Sequence, residues 1–232
     1  MPGIGELREG PLHAALKAHL AGPGDTLEVR VDGYVIDLMR ADGELVEVQT
    51  GSFSPLGPKL DALLDAHRIR IVHPVPARRR VVRVDADGQV VSARRSPARG
   101  RALHVFDRLV SFPSLLGHPN LTVEVLLCAE DHVRAPEPIR GRRRTRDPGE
   151  RRLVDVLEVV ELRGPEDAAA LLGDDVARDP CTTRELAKAL GCPILLAQRT
   201  AYCLRALGVL EDAGNRGRAP LHRRAGTAPG TR

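Results

Sequence analysis

The stretch that decides the fold of the first half of the chain is YVIDLMRADGELVEVQ, residues 34–49. Two mainly apolar segments, 34–39 and 45–49, lie on either side of Asp42-Gly43. This dipeptide is typical of tight turns between antiparallel strands. The sequence therefore predicts that the two segments form a β-hairpin.

On both sides of this hairpin, hydrophobic periodicity and turn residues predict further helices and strands. A helix follows the hairpin because Ser54-Pro55 has the form of an N-cap and a first-turn proline, and leucines then recur on one stripe. The expected elements of the first part of the chain are a helix at 11–20, a strand at 27–39 that bends at Gly33, a strand at 45–49, a helix at 54–67, a strand at 68–75, and a hairpin of 78–84 with 89–93.

The rest of the chain is predicted to contain a mixed middle segment and a C-terminal unit. The expected middle elements are a helix at 103–116, a strand at 121–128, a polar link at 136–150, and a strand or helix at 153–162. The expected C-terminal elements are a helix at 165–172, a helix at 182–189 opened by a capping box of Thr182 and Glu185, a turn at 191–193, a helix at 194–207, and a two-stranded hairpin within 209–224.

The composition excludes some classes of protein. Hydrophobic residues make up 42% and charged residues 28% of the 232 residues, which is typical of a globular chain. Aromatic residues make up only 2%, so recognition of nucleic acid mainly by base stacking is a poor fit. No run approaches the ~20 apolar residues of a transmembrane helix. Without a CxxC pair, a zinc-knuckle spacing or a signal peptide, we expect a cytoplasmic protein with reduced thiols and no membrane partner.

The positive charge of the chain is carried almost entirely by arginine. Of the 35 basic residues three are lysines, which leaves 32 arginines, and the formal net charge is +4. A GC-rich genome also produces such a composition, so the positions of the arginines carry more information than their number. Five arginines lie within residues 140–146 of the polar link. This segment is either a solvated loop or an arm that grips a nucleic-acid backbone.

The predicted hairpin places polar side chains within apolar strands. Glu47 and Gln49 share one face of their strand because side chains alternate, while Val46 and Val48 lie on the other face. Asp37 interrupts the partner strand, and the turn brings it across from Glu47. Two adjacent buried carboxylates are costly unless a cation lies between them, and Mg²⁺ or Mn²⁺ suits such oxygen ligands. The expected function of a metal ion held by these two carboxylates is phosphodiester hydrolysis.

Asp37 and Glu47-Val48-Gln49, followed by a helix, resemble the D…(D/E)xK motif of the PD-(D/E)xK, or restriction-endonuclease-like, nuclease superfamily. The predicted order helix, strand, strand, helix, strand is similar to the core of that superfamily. Residues 32–37 and 47–50 are also similar to segments of uncharacterised bacterial proteins that pair this core with a C-terminal helix-turn-helix. The resemblance implies a metal-dependent nuclease in which Asp37 and Glu47 bind the metal.

One residue departs from the motif, because Gln49 stands where the superfamily has lysine. Gln49 would orient water or phosphate, and Lys59 on the following helix is the candidate for the missing cation; the alternative is an ordinary surface lysine. Glu9 resembles the additional acidic residue of Holliday-junction-resolvase-type members and would assist the metal. Its alternative is a first-turn carboxylate favoured by the helix dipole. Asp37 and Glu47 are alternatively strand-end charges that are solvated or paired with arginine.

The C-terminal unit resembles a winged helix-turn-helix in its helix order, its turn and its Gly-rich hairpin. The residues of its last helix that are expected to face the core are Ile194, Ala197, Ala201 and Leu204. The side chains that would then contact DNA from this helix and the wing are Gln198, Arg199, Tyr202, Arg216 and Arg218. The alternative is a protein-interaction or dimerisation module.

These patterns predict an α/β protein with a mixed sheet and flanking helices of restriction-endonuclease-like type, plus a small winged-helix domain. The expected boundaries are 1–96 for the nuclease-like core, 97–164 for an extension with the arginine-rich link, 165–224 for the winged helix, and 225–232 for a flexible tail. The expected function is Mg²⁺- or Mn²⁺-dependent endonucleolytic cleavage of DNA, with homodimerisation left open. The alternative is a catalytically inactive DNA-binding or regulatory protein on the same fold, which Gln49 favours.

Overall fold

The computed structural model of the chain describes residues 10–135 and 149–226. Glu9, the arginines at 140–146 and residues 227–232 of the predicted tail lie outside these ranges. Within them the chain forms a large mixed sheet with flanking helices and a smaller three-stranded sheet near the C-terminus. The predicted α/β class, with a mixed sheet and flanking helices, is confirmed.

The elements are numbered along the chain. The helices are α1 (Pro11–Leu20), α2 (Gly57–Leu63), α3 (Phe106–Leu109), α4 (Pro165–Ala170), α5 (Thr183–Leu190) and α6 (Ile194–Ala206). The strands are β1 (Thr26–Val31), β2 (Tyr34–Met39), β3 (Leu45–Val48), β4 (Ile69–Val84), β5 (Val90–Arg95), β6 (Leu121–Arg134), β7 (Glu150–Leu162), β8 (Cys181–Thr182), β9 (Leu210–Arg216) and β10 (Ala219–Arg224).

The large sheet has seven strands in the order β1-β2-β3-β4-β6-β7, and β5 pairs with the far end of β4. β1, β2 and β3 form an antiparallel meander, whereas β4 lies parallel to β3 and β6 lies parallel to β4. β7 returns antiparallel to β6. β6 and β7 therefore extend the same sheet, so the segment 97–164 that the sequence separates from the core contributes two of its strands.

The first hairpin of the meander corrects one expectation. Residues 27–39 are not one bent strand but two strands, β1 and β2, joined by Asp32-Gly33. Both turn residues have positive φ angles, 46° for Asp32 and 86° for Gly33. Positive φ at both central residues is the geometry of a type I′ turn, which matches the twist of paired strands. The chain therefore reverses at Gly33 instead of bending there.

Strand β4 is continuous, although the sequence predicts a break between residues 75 and 78. Pro74 and Pro76 lie inside it, and proline is tolerated in a strand only where its backbone edge has no neighbouring strand. On the side away from β6, the carbonyl of Pro76 accepts a hydrogen bond from Gly100, which belongs to a loop. The two prolines therefore present their backbone edges to a gap in the sheet.

This gap is bounded by the strands on either side of it along β4. β3 pairs with β4 only as far as Val48 opposite Val72, and β5 pairs with β4 only from Arg80 onward. Between these points, β6 is the only described strand that pairs with β4. The two prolines, which have no N–H to donate on this side, prevent a strand from filling the gap.

The middle of the chain also differs from its expected form. The predicted helix at 103–116 is divided into α3 and two 3-10 turns, Ala102–Val105 and Pro113–Gly117. Pro113 keeps the preceding Phe112 out of helical geometry, with φ −155° and ψ 63°. None of the described helices is long and apolar enough to cross a membrane.

Two hydrophobic clusters cover the sheet. In one of them α1 packs its buried Leu12 and Leu16 against Val46 and Val48 of β3. A larger cluster joins α2, α3 and the C-terminal unit to the sheet. β3 is buried over its whole length as a result. Its one charged residue, Glu47, is only 7% exposed, so the protein itself must supply its partners.

The C-terminal unit follows the predicted order of elements. The capping box of α5 is present, because the Thr182 hydroxyl accepts from the Glu185 amide and the Glu185 carboxylate accepts from the Thr182 amide. α5 ends at Gly191 in the left-handed conformation, with φ 56°. α6 follows, and β9 and β10 form a hairpin beside β8.

Helix α6 packs the C-terminal unit against α3. Ala197, Ala201 and Leu204 are buried as expected, in the same cluster as Phe106. The expectation that Ile194 faces the core is wrong, because this residue is 46% exposed. The buried stripe is rotated relative to the expected one, and it includes Leu196, Thr200 and Cys203.

Candidate functional site

The open end of the β2–β3 hairpin holds the two acidic residues that the sequence singles out. The strands pair as far as Leu38 and Val46, so Asp37 and Glu47 are the next residues along them. Oδ2 of Asp37 accepts a hydrogen bond of 2.8 Å from the amide of Val48. The nearby Asp37 amide acts to lower the pKa of the Glu47 carboxylate. The Val48 amide therefore holds the Asp37 carboxylate against β3, beside Glu47.

The third member of this group is Lys59 of α2. Its Nζ lies 2.6 Å from Oε1 of Glu47 and donates a second hydrogen bond of 2.8 Å to the carbonyl of Val35. The side chains of Lys59 and Glu47 are 16% and 9% exposed, so the pair is mostly shielded from water. Lys59 is not an ordinary surface lysine. We call Asp37, Glu47 and Lys59 the carboxylate cluster.

The local sequence explains why α2 reaches this point. A 3-10 turn, Ser54–Leu56, and a proline in the first turn start the helix soon after β3 ends. Leu60 and Leu63 are fully buried in the core, which sets the rotation of the helix. The Tyr34 hydroxyl donates to the carbonyl of Pro58 at 3.2 Å and ties the start of α2 to β2. Lys59 is thereby held next to the hairpin.

Helix α1 lies on the other side of Asp37. Nε2 of His13 is 3.2 Å from Oδ1 of Asp37. One turn later, Nζ of Lys17 is 2.8 Å from Oε1 of Glu28 in β1, and Glu28 has an unusual positive φ of 54°. Backbone strain of this kind persists only where the surroundings enforce it. α1 therefore places the imidazole of His13 against Asp37, and the charge of Lys17 acts on the same carboxylate from further away.

The pKa values of the two carboxylates move in opposite directions. Burial and the neighbouring charge of Asp37 raise the pKa of Glu47, and the hydrogen bond and charge of Lys59 only partly offset this. Burial also acts to raise the pKa of Asp37, but the hydrogen bond and charge of His13, together with the Val48 amide, lower it below its ordinary value. Glu47 is therefore the carboxylate that would gain most from an additional cation.

Gln49 lies two residues beyond Glu47, where β3 ends. Its amide donates to the carbonyl of Val72 at 2.8 Å, and its carbonyl accepts a 2.6 Å hydrogen bond from Nδ1 of His73. Within the described ranges its half-buried side-chain amide makes no hydrogen bond. The side-chain amide is thus available to a ligand.

The donor set of the carboxylate cluster fits a hard divalent cation. Carboxylate oxygens are the ligands that Mg²⁺ prefers in proteins, and Mn²⁺ shares this preference. A cation would also relieve the repulsion that raises the pKa of Glu47. In the described part of the chain, no group of three or more His, Cys, Asp and Glu side chains is arranged to hold a metal. Glu9, which the resemblance adds to the ligand set, lies outside that part.

Comparison with known proteins identifies a family for the region that contains this cluster. The family model described as Domain of unknown function (DUF8091) matches residues 10–163. The chain belongs to this family. The match begins just before α1 and ends just after β7, so the DUF8091 region comprises the large sheet and the carboxylate cluster. The C-terminal unit follows it along the chain.

A relative from Treponema pallidum (strain Nichols), described as "Uncharacterized protein", is similar to almost the whole chain. It is 28% identical over 223 residues, which cover 95% of this chain and 87% of the relative. The similarity therefore extends from the DUF8091 region into the C-terminal unit. No solved structure matches the chain.

Beyond the DUF8091 region, the predicted DNA-contacting residues of α6 have different surroundings. Gln198 and Tyr202 are exposed. Arg199 does not point into open solvent, because its Nη1 lies 2.7 Å from Oδ1 of Asp107 on α3. This ion pair holds α6 against the DUF8091 region, so Arg199 is engaged within the protein.

The two arginines of the β9–β10 hairpin also differ. Nη1 of Arg216 lies 2.6 Å from Oε1 of Glu185 on α5. Arg218 is exposed at the end of the hairpin. Two of the five predicted DNA contacts, Arg199 and Arg216, are therefore already paired with carboxylates.

His73 is a residue near the cluster that the sequence analysis does not single out. It is 5% exposed and packs edge-on against Phe53, with ring centroids 5.2 Å apart. Burial lowers its pKa to about 4; the hydrogen bond to Gln49 opposes this, and the charges of Arg108 and Arg151 add to it. Since a carbonyl can only accept, Nδ1 carries the proton of the neutral ring. A single histidine in an apolar strand gives no sequence signal that it is buried and donates a hydrogen bond to the Gln49 carbonyl.

His67 lies away from the carboxylate cluster. Nε2 of His67 is 3.1 Å from Oδ2 of Asp32, at the β1–β2 turn. It therefore supports the turn and does not contact the carboxylate cluster.

Proposed function

We propose that this protein is a metal-dependent nuclease that hydrolyses phosphodiester bonds in DNA at the carboxylate cluster. The observation that carries this proposal is the 2.6 Å contact of Lys59 Nζ with Glu47 Oε1, beside Asp37. Two carboxylates and a cation are the groups that the D…(D/E)xK resemblance implies. Lys59 supplies from α2 the positive charge that Gln49 lacks.

The path of the chain around the cluster also supports the proposal. Helix α1 precedes the meander β1 to β3, and α2 leads from β3 to the parallel strand β4. This order is similar to the helix, strand, strand, helix, strand order that the resemblance implies, with one more strand in the meander. The acidic residues lie on β2 and β3, the hairpin that carries the motif.

Each residue of the site has a role that its position allows. Asp37 and Glu47 would hold Mg²⁺ or Mn²⁺, which when bound supplies an activated water and Lewis acidity. Lys59 balances the charge of Glu47 and provides a fixed positive group for the charge that develops on phosphate. The Gln49 side-chain amide can orient water or a phosphate oxygen by hydrogen bonding.

The C-terminal unit is proposed to be a winged helix-turn-helix that positions the DNA. Its support is the capped helix, the turn and the following hairpin, in that order. Gln198 and Tyr202 on α6 and Arg218 on the hairpin are exposed and could contact a duplex. Arg199 and Arg216 contribute to this surface only if DNA displaces their carboxylate partners.

The full chain, incubated with plasmid, linear, single-stranded and branched DNA, tests the proposal. We expect cleavage with Mg²⁺ or Mn²⁺ and none with a chelator. Asp37→Asn and Glu47→Gln should each lower the rate by about 10²-fold or more, the scale seen when a group that stabilises the transition state is removed. Asp42→Asn is the matched control, since this exposed turn carboxylate lies on the same hairpin. Absence of cleavage by the wild type, or full activity of both cluster variants, would refute the proposal.

A second candidate is a catalytically inactive protein that binds DNA or regulates a DNA transaction with the same fold. The observation in its favour is that both carboxylates already have protein partners, Lys59 on Glu47 and His13 on Asp37, while Gln49 replaces the motif lysine. This candidate predicts DNA retention without cleavage under every metal condition of the same assay.

A further inference from the structure

A cavity of about 300 Å³ lies in the gap along β4, directly beyond the end of β3. Its walls include residues 73–76 of β4 and Thr50, which follows β3. Gly100 forms another wall and donates a hydrogen bond of 2.9 Å to the carbonyl of Pro76. A Cβ at Gly100 would lie 2.6 Å from Cγ1 of Val75 and 2.7 Å from that carbonyl. This wall is therefore built by a backbone contact that only glycine allows.

Arginine dominates the charge of the cavity, which we call the arginine cavity. The arginines that line it are Arg79, Arg99, Arg108 and Arg151. Arg151 is paired with Glu130 at 2.8 Å. Among the described lining residues the single carboxylate is Asp107, and it is already paired with Arg199 at 2.7 Å. The cavity therefore carries an excess of positive charge that its own walls do not balance.

The remaining three arginines have no carboxylate partner in the described part of the chain. Arg108 makes no side-chain hydrogen bond there, and Arg99 donates only to the carbonyl of Ser96, at 3.1 Å. Nε of Arg79 is buried and has no hydrogen-bond partner. A buried guanidinium N–H without an acceptor is unfavourable. The group that these residues lack is an anion.

The position of the cavity favours the phosphate of a nucleic-acid strand over other anions. Glu47 of the carboxylate cluster and Thr50 of the cavity wall are three residues apart, and the carbonyl of Thr50 accepts from Arg151 at 3.2 Å. A strand with one phosphate at the cluster carries further phosphates along the same path. The arginine fork matches phosphate oxygens in pairs.

A second basic cavity, of about 360 Å³, continues the first along β4 and β5. Arg79 and Arg99 line both cavities, and Arg78 and Arg95 line the second one. This cavity also contains three acidic residues. Asp131 is paired with Arg80 at 2.6 Å and Glu130 with Arg151, and Asp155 has no ion pair among the described residues. The positive groups therefore extend in the direction away from the carboxylate cluster, as a groove for a polyanionic strand would require.

We propose that the arginine cavity binds a phosphate group of a nucleic-acid strand, with Arg79, Arg99 and Arg108 as its ligands. The identity of the strand rests on the proposed function, whereas binding can be measured without cleavage. The main binding site for the strand then lies in the DUF8091 region, next to the carboxylate cluster, and not on α6. It gives Gly100 and the prolines of β4 a role in shaping the binding site.

The test is binding of fluorescently labelled single-stranded and duplex oligonucleotides to the full chain in chelator, measured by anisotropy at several salt concentrations. Arg108→Gln and Arg99→Gln should each weaken binding about tenfold, because each removes a charge-assisted hydrogen bond. Each should also flatten the slope of log affinity against log salt by about 0.9 for duplex or about 0.7 for single strands. Arg178→Gln is the matched control, since it removes the same charge from an exposed arginine that lines no described cavity.

Oligonucleotides with and without a 5′-phosphate distinguish two sources of the phosphate. A preference for the phosphorylated end that Arg108→Gln removes assigns a terminal phosphate to the cavity, and equal binding of both assigns an internal one; either result supports the proposal. Unchanged affinity and slope in both cavity variants would overturn it, as would no binding by the wild type. Because binding is measured in chelator, where no cleavage is expected, binding without cleavage in Mg²⁺ would refute only the nuclease proposal. Cleavage with unchanged affinity in both cavity variants would refute only this one.

Discussion

The carboxylate cluster and the arginine cavity adjoin each other at the end of β3, yet their charges are arranged in opposite ways. In the cluster, Lys59 bonds Glu47 and His13 bonds Asp37, so each acidic side chain has a protein partner. In the cavity, three arginines have no carboxylate partner in the described ranges. Substitutions in the cluster should therefore change both the stability of the fold and cleavage. Substitutions in the cavity should change ligand binding and have little effect on stability.

The largest effect on stability is expected for Lys59→Met. This change leaves Glu47 buried beside Asp37 without its cation, and breaking one side of a buried pair costs about 3 kcal/mol of unfolding free energy. Chemical denaturation at neutral pH measures it. The double variant Lys59→Met/Glu47→Gln should be more stable than Lys59→Met, since no unpaired charge remains. Equal stability of the two variants would show that the pair is not coupled.

An effect of similar size is expected from His73, which lies between the two regions. Its pKa is lowered from 6.5 to about 4 in the folded protein, so the unfolded chain binds the proton first. The contribution of neutral His73 to the free energy of unfolding is therefore complete above pH 6.5. This contribution, about 3 kcal/mol, is lost as the pH falls towards 4. Denaturation curves across this range should show a smaller acid-induced loss in His73→Gln. Parallel pH profiles would contradict a neutral, buried imidazole.

A smaller effect is expected where the backbone shapes the arginine cavity. Gly100→Ala forces a Cβ against Val75 and the carbonyl of Pro76, and overpacking of this kind costs about 2 kcal/mol. Gly117→Ala is the control, because a Cβ there meets nothing within 4 Å. Thermal unfolding compares the two. If both variants unfold like the wild type, the contact at Gly100 is not the tight wall described above.

The smallest effect is expected for Arg108→Gln without a ligand. Removing one of several uncompensated positive charges should raise the unfolding free energy by about 0.5 kcal/mol at low salt, because repulsion among them is relieved. The gain should vanish at about 1 M salt, where charges are screened within about 3 Å. A clear loss of stability in Arg108→Gln would mean that this arginine has a structural partner. The cavity would then not differ from the carboxylate cluster, in which each charged side chain is paired.

Signals between neighbours in the sequence predicted much of the fold. The Asp42-Gly43 turn, the capping box of Thr182 and Glu185, and the start of α1 at Pro11 are confirmed. Each of these depends on a few adjacent residues and on backbone geometry that those residues favour. The placement of Asp37 opposite Glu47 followed from the same local logic, because a short turn sets the register of a hairpin.

Features that depend on distant packing could not be predicted in the same way. Arg199 was expected to face DNA, but its partner Asp107 is 92 residues away, and the pair forms only because α6 packs on α3. The sequence predicted a break between residues 75 and 78, whereas β4 is continuous and its prolines border a gap beyond the short strand β3. Lys59 could be proposed as the missing cation, but only the rotation of α2 in the core brings its Nζ to Glu47.

A final experiment compares cleavage rates in Mn²⁺ of variants that remove or move the positively charged side chain, with chelator as the blank. We expect Lys59→Met to be inactive and Lys59→Met/Gln49→Lys to regain cleavage, because the positive charge returns to the position where the superfamily motif carries it. Circular dichroism confirms that both variants are folded. Wild-type cleavage by Lys59→Met, or no cleavage by the wild type itself, would contradict the claim that Lys59 completes a nuclease site with Asp37 and Glu47.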